Sequence, residues 1–207
     1  QTGIFKWARP GNPRVGLKAF REDPANNPLK TPSGKIEIFS PRLWDMGHTW
    51  ELPAGDKITA LPEYHPTWGD RGQEGSVDYP LQCVGHHAKQ RTHSTYGNNP
   101  WLEEAAPQMV WINPLDAQQR GISHGDRVRI FNVFGQTETR AKVTPRIMPG
   151  VVSLPQGAWH RGGPAGLDKN GSINILTNQR PSPLAKGNPQ HTNLVEVEKI
   201  ETRGTED

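Results

Sequence analysis

Short bursts of alternating apolar and polar residues, separated by turn residues, recur along the chain and predict strands rather than long helices. Lys35–Ser40 ("KIEIFS") alternates Ile36, Ile38 and Ser40 against Glu37 and Phe39 after the turn "TPSG", which predicts an early strand. From residue 79 such bursts become frequent. "YPLQCVG" ends on Gly85, and "QMVWINP" runs from Gln108 to Pro114. "DRVRIFNVFGQTETRAKVTP" predicts a hairpin turning at Phe134–Gly135, with Val128 and Ile130 in one arm and Thr137, Thr139, Ala141 and Val143 in the other. "PGVVSLP", "SINIL" and "TNLVEVEKI" complete a set of six or seven strands, the last carrying Leu194, Val195 and Val197. Helical signals are short. Asn113 fits an N-cap, Pro114 the first helical position and Gly121 the left-handed residue that ends the helix.

Many short strands joined by Gly/Pro turns close into a barrel or sandwich, which protects their edges. Residues 1–75 are instead dense in turn chemistry ("RPGNPRVG", "EDPANNPLKTPSGK", "LPEYHPTWGDRGQEGS") and predict an irregular arm that packs on something else. The expected organisation is an N-terminal arm over 1–75, a barrel domain over 76–200 and a polar tail over 201–207. With 22 Gly and 20 Pro in 207 residues, the composition fits this mainly β, loop-rich reading better than a helical bundle.

Charge and cysteine content narrow the function classes. The net charge of +3 is scattered, so it favours anionic ligands without making a nucleic-acid stripe. The single Cys83 sits in an apolar run, fits a buried hydrophobe and can form no internal disulfide. No P-loop, G-x-G-x-x-G, C-x-x-C pair or G-x-S-x-G elbow occurs. The opening Gln1 predicts a piece of a longer polypeptide.

Three stretches carry candidate chemistry. "GHHAKQRTHST" gathers His86, His87 and His93 with Lys89 and Arg91. Adjacent imidazoles point to opposite faces of an extended chain, and the neighbouring cations repel a dication, so a zinc site is disfavoured. The same residues suit an anion cradle: Gly85 permits close approach of a ligand, Lys89 and Arg91 bind phosphate oxygens, and Thr92 and Ser94 add hydroxyls. A solvated polar loop fits the composition equally well. "LTNQRPSPLAKGNPQHT" (176–192) is a long loop with amide side chains able to pair with a heterocycle edge. In "WINPLDA", Asn113 and Asp116 either read a purine edge or cap the helix they begin, and the cap is the better reading.

Taken in order, "LKTPSGKIEIFS", "QCVGHHAKQRTHSTYGN", "MVWINPLDAQQRGISHGDRVRIFNVFGQTETRAKVTPRIMPGVV", "GAWH" and "INILTNQRPSPLAKGNPQHTNLVEVE" resemble the C-terminal part of the catalytic subunit of anaerobic dimethyl sulfoxide reductases, within the molybdopterin oxidoreductase family. The resemblance implies a six-stranded double-psi β-barrel with short helices that closes over bis(molybdopterin guanine dinucleotide). It implies cofactor contacts from Gly85, His86, His87, Lys89, Arg91, Thr92, His93 and Ser94, from Asn113 and Asp116, and from Asn174, Lys186, Gly187 and Asn188. It implies no catalytic residue and no metal ligand on this chain, since molybdenum would be ligated from an earlier domain. An iron–sulfur cluster would lie in an upstream domain. Partners would be those upstream domains, an iron–sulfur electron-transfer subunit and a membrane anchor subunit, with no nucleic acid. The intact enzyme would be membrane-associated on the periplasmic side of a bacterium, reducing S-oxides, N-oxides or related compounds, and this chain alone would be inactive. The alternative on residues alone is a non-redox β-barrel interaction or nucleic-acid-binding module.

Overall fold

The computed structural model describes residues 11, 13–67, 69, 72, 76–188 and 190–201. The polar tail expected over 201–207 lies outside these apart from Glu201. The chain forms two units, with the boundary between Glu63 and Tyr64.

In the first unit, helices α1 (Lys18–Glu22) and α2 (Pro41–Thr49) are the only regular elements among the described residues. The strand expected at Lys35–Ser40 does not form. Ile36 and Ile38 are about 70% exposed, at 70% and 71%, because no other strand is at hand to pair with them. Ser40 instead opens α2: its Oγ accepts from the Leu43 amide at 3.3 Å, and Pro41 takes the first helical position. Among the described residues of this unit only Ala60 is buried, so it has no core of its own.

In the second unit six strands close into a barrel in the order β1-β5-β2-β4-β3-β6. They are β1 (Leu81–His86), β2 (Met109–Ile112), β3 (Arg127–Phe131), β4 (Gln136–Val143), β5 (Val151–Pro155) and β6 (Asn193–Lys199). The β1/β5 and β2/β4 pairs are parallel, and the other four are antiparallel. Closure leaves no free sheet edge. The hairpin read from 126–145 is present with Phe131 opposite Gln136. Asn132 ties it off: its Oδ1 accepts from the Phe134 and Gly135 amides, and its Nδ2 donates to the carbonyls of Leu176 and Leu194.

The barrel interior is built from the alternate positions marked by the sequence pattern: Leu81, Cys83, Val110, Ile112, Val128, Ile130, Ala141, Val152, Leu154, Val195 and Val197. Burial pushes the Cys83 thiol up to about 12, so it stays protonated and serves as a small apolar residue. The run "SINIL" is not a strand. Ile173–Leu176 is a 3₁₀ helix, because its two core residues, Ile173 and Leu176, are spaced three apart and dock together into the barrel. Two further short helices are α3 (Pro100–Ala105) and α4 (Pro114–Gln119).

Candidate functional site

Strand directions decide which candidates can meet. β1 and β5 run in parallel, so the segments that follow them emerge at the same end of the barrel. Gly85, at the end of β1, is packed closely there: a Cβ on it would meet Gln156 at 2.9 Å and Ile173 at 3.2 Å. The Gly85 amide donates to His191 Nδ1 at 3.2 Å, just ahead of the first residue of β6, and its carbonyl accepts from Gln156 Nε2. The post-β1 segment, the post-β5 segment, the 3₁₀ helix and the close of the 176–192 loop therefore converge on one end.

The post-β1 segment is held by the post-β5 segment. Arg91 turns inward, donating Nε to the Gln156 carbonyl at 2.9 Å and Nη2 to Gln108 Oε1 at 2.7 Å. Burial of this guanidinium lowers its affinity for the proton, an effect partly offset by Glu103. Gly157 adopts φ +84°, and no Cβ fits there because the His93 carbonyl fills the space. Trp159 Nε1 donates to the Ser94 carbonyl at 2.7 Å. His93 itself has a left-handed φ of 50°, and its ring meets that of His87 edge-on, with centroids 5.2 Å apart. This packing leaves His87, Lys89, Thr92, His93 and Ser94 exposed at the barrel end.

His86 is half-buried. Its Nδ1 lies 2.6 Å from Ser153 Oγ on β5, and its ring is 5.0 Å from that of Trp111 on β2. Burial, then the positive charges of Lys142 and Arg91 and the neighbouring His87, hold its pKa below the usual imidazole value. Asn174 is exposed on the 3₁₀ helix, beside the core residue Ile173. Lys186, Gly187 and Asn188 are exposed in a loop pinned at its base, where the Ser182 amide donates to the Gly187 carbonyl and the Gly187 amide to Ser182 Oγ.

Asn113 and Asp116 are not part of this cluster. β2 runs antiparallel to β5, so Ile112 pairs with Val152 near the start of β5, at the opposite end of the barrel from His86 and Pro155. Both side chains are occupied internally. Asn113 Oδ1 accepts from the Leu115 amide at 2.9 Å as the cap of α4, and Nδ2 donates to the Ile147 carbonyl at 2.7 Å. Asp116 Oδ2 accepts from the Gly150 amide at 2.6 Å. The residues most important for holding the site together, Gln108, Gln156, Trp159 and His191, were not singled out from sequence. Three of them lie in stretches the sequence marks for other reasons: Gln108 opens "QMVWINP", Trp159 falls in "GAWH" and His191 in the 176–192 loop. Among the described residues no three His, Cys, Asp or Glu side chains come together as a metal site, and no helix is long and apolar enough to cross a membrane.

A closed mixed barrel with donor-rich loops gathered at one end defines a ligand-binding barrel domain. Residues 81–194 match the Molydopterin dinucleotide binding domain, and the chain belongs to that family. It is similar to the dimethyl sulfoxide reductase DmsA of Escherichia coli K12, 59% identical over 200 residues, covering 97% of this chain and 25% of that protein. It is 41% identical over 199 residues to trimethylamine-N-oxide reductase 1 of Escherichia coli O157:H7, covering 89% of this chain and 22% of that one. The chain thus spans about a quarter of the length of these relatives. Acetylene hydratase from Pelobacter acetylenicus shares the fold, with a TM-score of 0.68 at 22% identity over 86% of this chain and 25% of that one.

Proposed function

We propose that this chain is the cofactor-closing domain of a molybdenum-dependent reductase that removes oxygen from S-oxides, N-oxides or related compounds, and that its barrel end binds bis(molybdopterin guanine dinucleotide). The observation that carries this reading is the convergence of four segments at one barrel end, in a chain of the dinucleotide-binding family. The residues there fit such a ligand. Exposed Thr92 and Ser94 offer hydroxyl donors, Lys89 and Lys186 offer positive charge to phosphate oxygens, and Asn174 and Asn188 offer amides to a heterocycle edge. Two-electron oxygen-atom chemistry comes from the cofactor when it is bound, and the protein supplies position and electrostatics. In this role Gly157 and Trp159 hold the post-β1 segment in shape, and Arg91 braces it from within.

The overall reaction, an oxide plus two electrons and two protons giving the reduced compound and water, needs parts beyond this chain. We assign these to upstream domains that carry the molybdenum ligand and an iron–sulfur cluster, to an iron–sulfur electron-transfer subunit, and to a membrane anchor subunit on the periplasmic side. The share of its relatives that the chain spans supports this division. Two parallel pairs in an otherwise antiparallel closed barrel support double-psi connectivity. The alternative of a non-redox interaction or nucleic-acid-binding module gains nothing from the relatives, which are reductases by name. The test is molybdenum and pterin content of the purified full-length protein carrying Lys186→Ala with Asn188→Ala, or Arg91→Ala. A several-fold loss of both is expected, and unchanged content in all variants rejects the reading.

A further inference from the structure

The large apolar residues of the N-terminal unit face outward. Leu17, Ile36, Ile38, Trp44 and Trp50 are exposed, and Ala60 alone is buried among its described residues. A unit without a core depends on another body to cover its apolar surface. Residues 36–39 mark where such a cover attaches. The segment is tied at both ends. On one side Thr31 Oγ1 donates to the Lys35 carbonyl at 2.6 Å, and the Ser33 amide donates to Glu37 Oε1 at 2.8 Å. On the other, the Ser40 amide donates to the Ala60 carbonyl at 2.9 Å, and Ser40 caps α2. Between these ties, the backbone N–H and C=O groups of Ile36, Glu37, Ile38 and Phe39 have no hydrogen-bond partner among the described residues. The Phe39 ring lies against Trp44 of α2, with centroids 6.0 Å apart, whereas Ile36 and Ile38 are 70% and 71% exposed.

We propose that residues 36–39 add as a strand to the edge of a sheet contributed by the part of the polypeptide outside these 207 residues. The free main-chain groups supply the hydrogen bonds of strand addition, and alternate side chains supply its specificity. Period two places Ile36 and Ile38 on one face and Glu37 and Phe39 on the other. Phe39 can therefore keep its contact with Trp44 while both isoleucines are buried on the incoming sheet. The partner strand is expected to carry β-branched or aromatic residues opposite them. The length of the relatives supports this occupant: the matches cover 97% and 89% of this chain but only 25% and 22% of those proteins. A second copy of the chain offers only the same short edge, and two such strands alone make a marginal pair. The inference rests on the proposed function in one respect, that further domains belong to the same polypeptide.

Amide hydrogen exchange, read residue by residue in the full-length protein and in the 207-residue chain, tests this. A strand paired along one edge bonds every second amide. Either Ile36 and Ile38 or Glu37 and Phe39 are therefore expected to exchange roughly tenfold or more slowly in the full-length protein than in the 207-residue chain. Equal rates at all of these positions in the two proteins overturn the proposal. Protection in the 207-residue chain that rises with its concentration also overturns it, by assigning the edge to a second copy. Ile36→Asp with Ile38→Asp is expected to lower the melting temperature of the full-length protein by several degrees and to leave that of the 207-residue chain unchanged. Equal shifts in the two count against the pairing. If the full-length double variant does not fold, Ile36→Thr with Ile38→Thr, which keeps the β-branching, takes its place under the same criterion. Molybdenum and pterin content of the same full-length sample separates this inference from the proposed function. Slowed amides in a protein that holds neither leave the strand pairing standing and reject the cofactor role. Freely exchanging amides in a loaded protein reject the pairing alone.

Discussion

Asp168 Oδ2 accepts a hydrogen bond from Thr137 Oγ1 at 2.5 Å, joining the loop after β5 to strand β4 inside the protein. The same carboxylate accepts from the amides of Arg161, Asn170 and Ser172, so one buried anion organises the whole turn from 160 to 172. Burial alone would raise its pKa. The four hydrogen bonds outweigh burial and hold it below the usual carboxylate value. Because the folded pKa is depressed, the stabilisation is complete above the unfolded value near 3.9 and is lost as pH falls through the folded value. Asp168→Asn is expected to cost about 2–3 kcal/mol at pH 7, the scale of hydrogen bonds to a charged group. Urea unfolding at pH 7 and pH 3 checks this, and the difference between parent and variant should shrink at pH 3.

His86 carries a pH dependence of its own. Its pKa is lowered first by burial and then by Lys142, Arg91 and His87. The unfolded chain therefore takes up this proton at higher pH than the folded one. Stability is unaffected well above about 6.5 and declines as pH falls below it. His86→Gln should flatten the slope of unfolding free energy between pH 7.5 and 5.5 while leaving the value at pH 8 little changed. An equal slope in parent and variant would show that another group governs this range.

How much of this was legible in the sequence follows from the range of each interaction. All six barrel strands fall where the sequence places a strand, by alternation in the β3/β4 hairpin, as in Val128 and Ile130, and by short apolar runs bounded by turn residues elsewhere, because both signals are local. "SINIL" looked like a strand because five residues cannot distinguish alternation from an i, i+3 pair, and docking of Ile173 with Leu176 chose the helix. "KIEIFS" had the right pattern but no partner strand. Within the candidate site, the Gly85–Ser94 stretch was readable as a cluster because its residues are contiguous. The separation of Asn113 and Asp116 from it was not, since it depends on β2 running antiparallel to β5. The approach of Trp111 and Lys142 was equally hidden: they are partners in the parallel β2/β4 register, 31 positions apart in sequence.

Gly157 offers a sharper test of how the barrel end is built. Its φ of +84° is costly for any L side chain, and an added Cβ would overlap the His93 carbonyl. Relaxing that clash moves the 91–97 segment, which Trp159 and Arg91 otherwise hold. Gly157→Ala should cost roughly 2 kcal/mol or more, beyond the ordinary penalty for a left-handed residue. Thermal unfolding gives the stability, and limited proteolysis should show faster cleavage near 91–97. Cleavage unchanged at that segment would mean that the two loops are not coupled.

Asn113 separates a structural role from a ligand-binding one. Its side chain caps α4 through Leu115 and fixes the Ile147 carbonyl, at the barrel end remote from Gly85 and His191. Replacing an N-cap by Ala typically costs about 1 kcal/mol, and a second, largely buried bond to a carbonyl adds about the same. Asn113→Ala should therefore lower unfolding free energy by roughly 2 kcal/mol. In the full-length protein, pterin content per folded molecule should stay at the parent level. Asn113→Asp keeps the capping oxygen but loses the donor to Ile147, so it should recover only the capping share. Loss of pterin in Asn113→Ala without loss of stability would instead make this residue a ligand contact and would bring the far end of the barrel into the binding site.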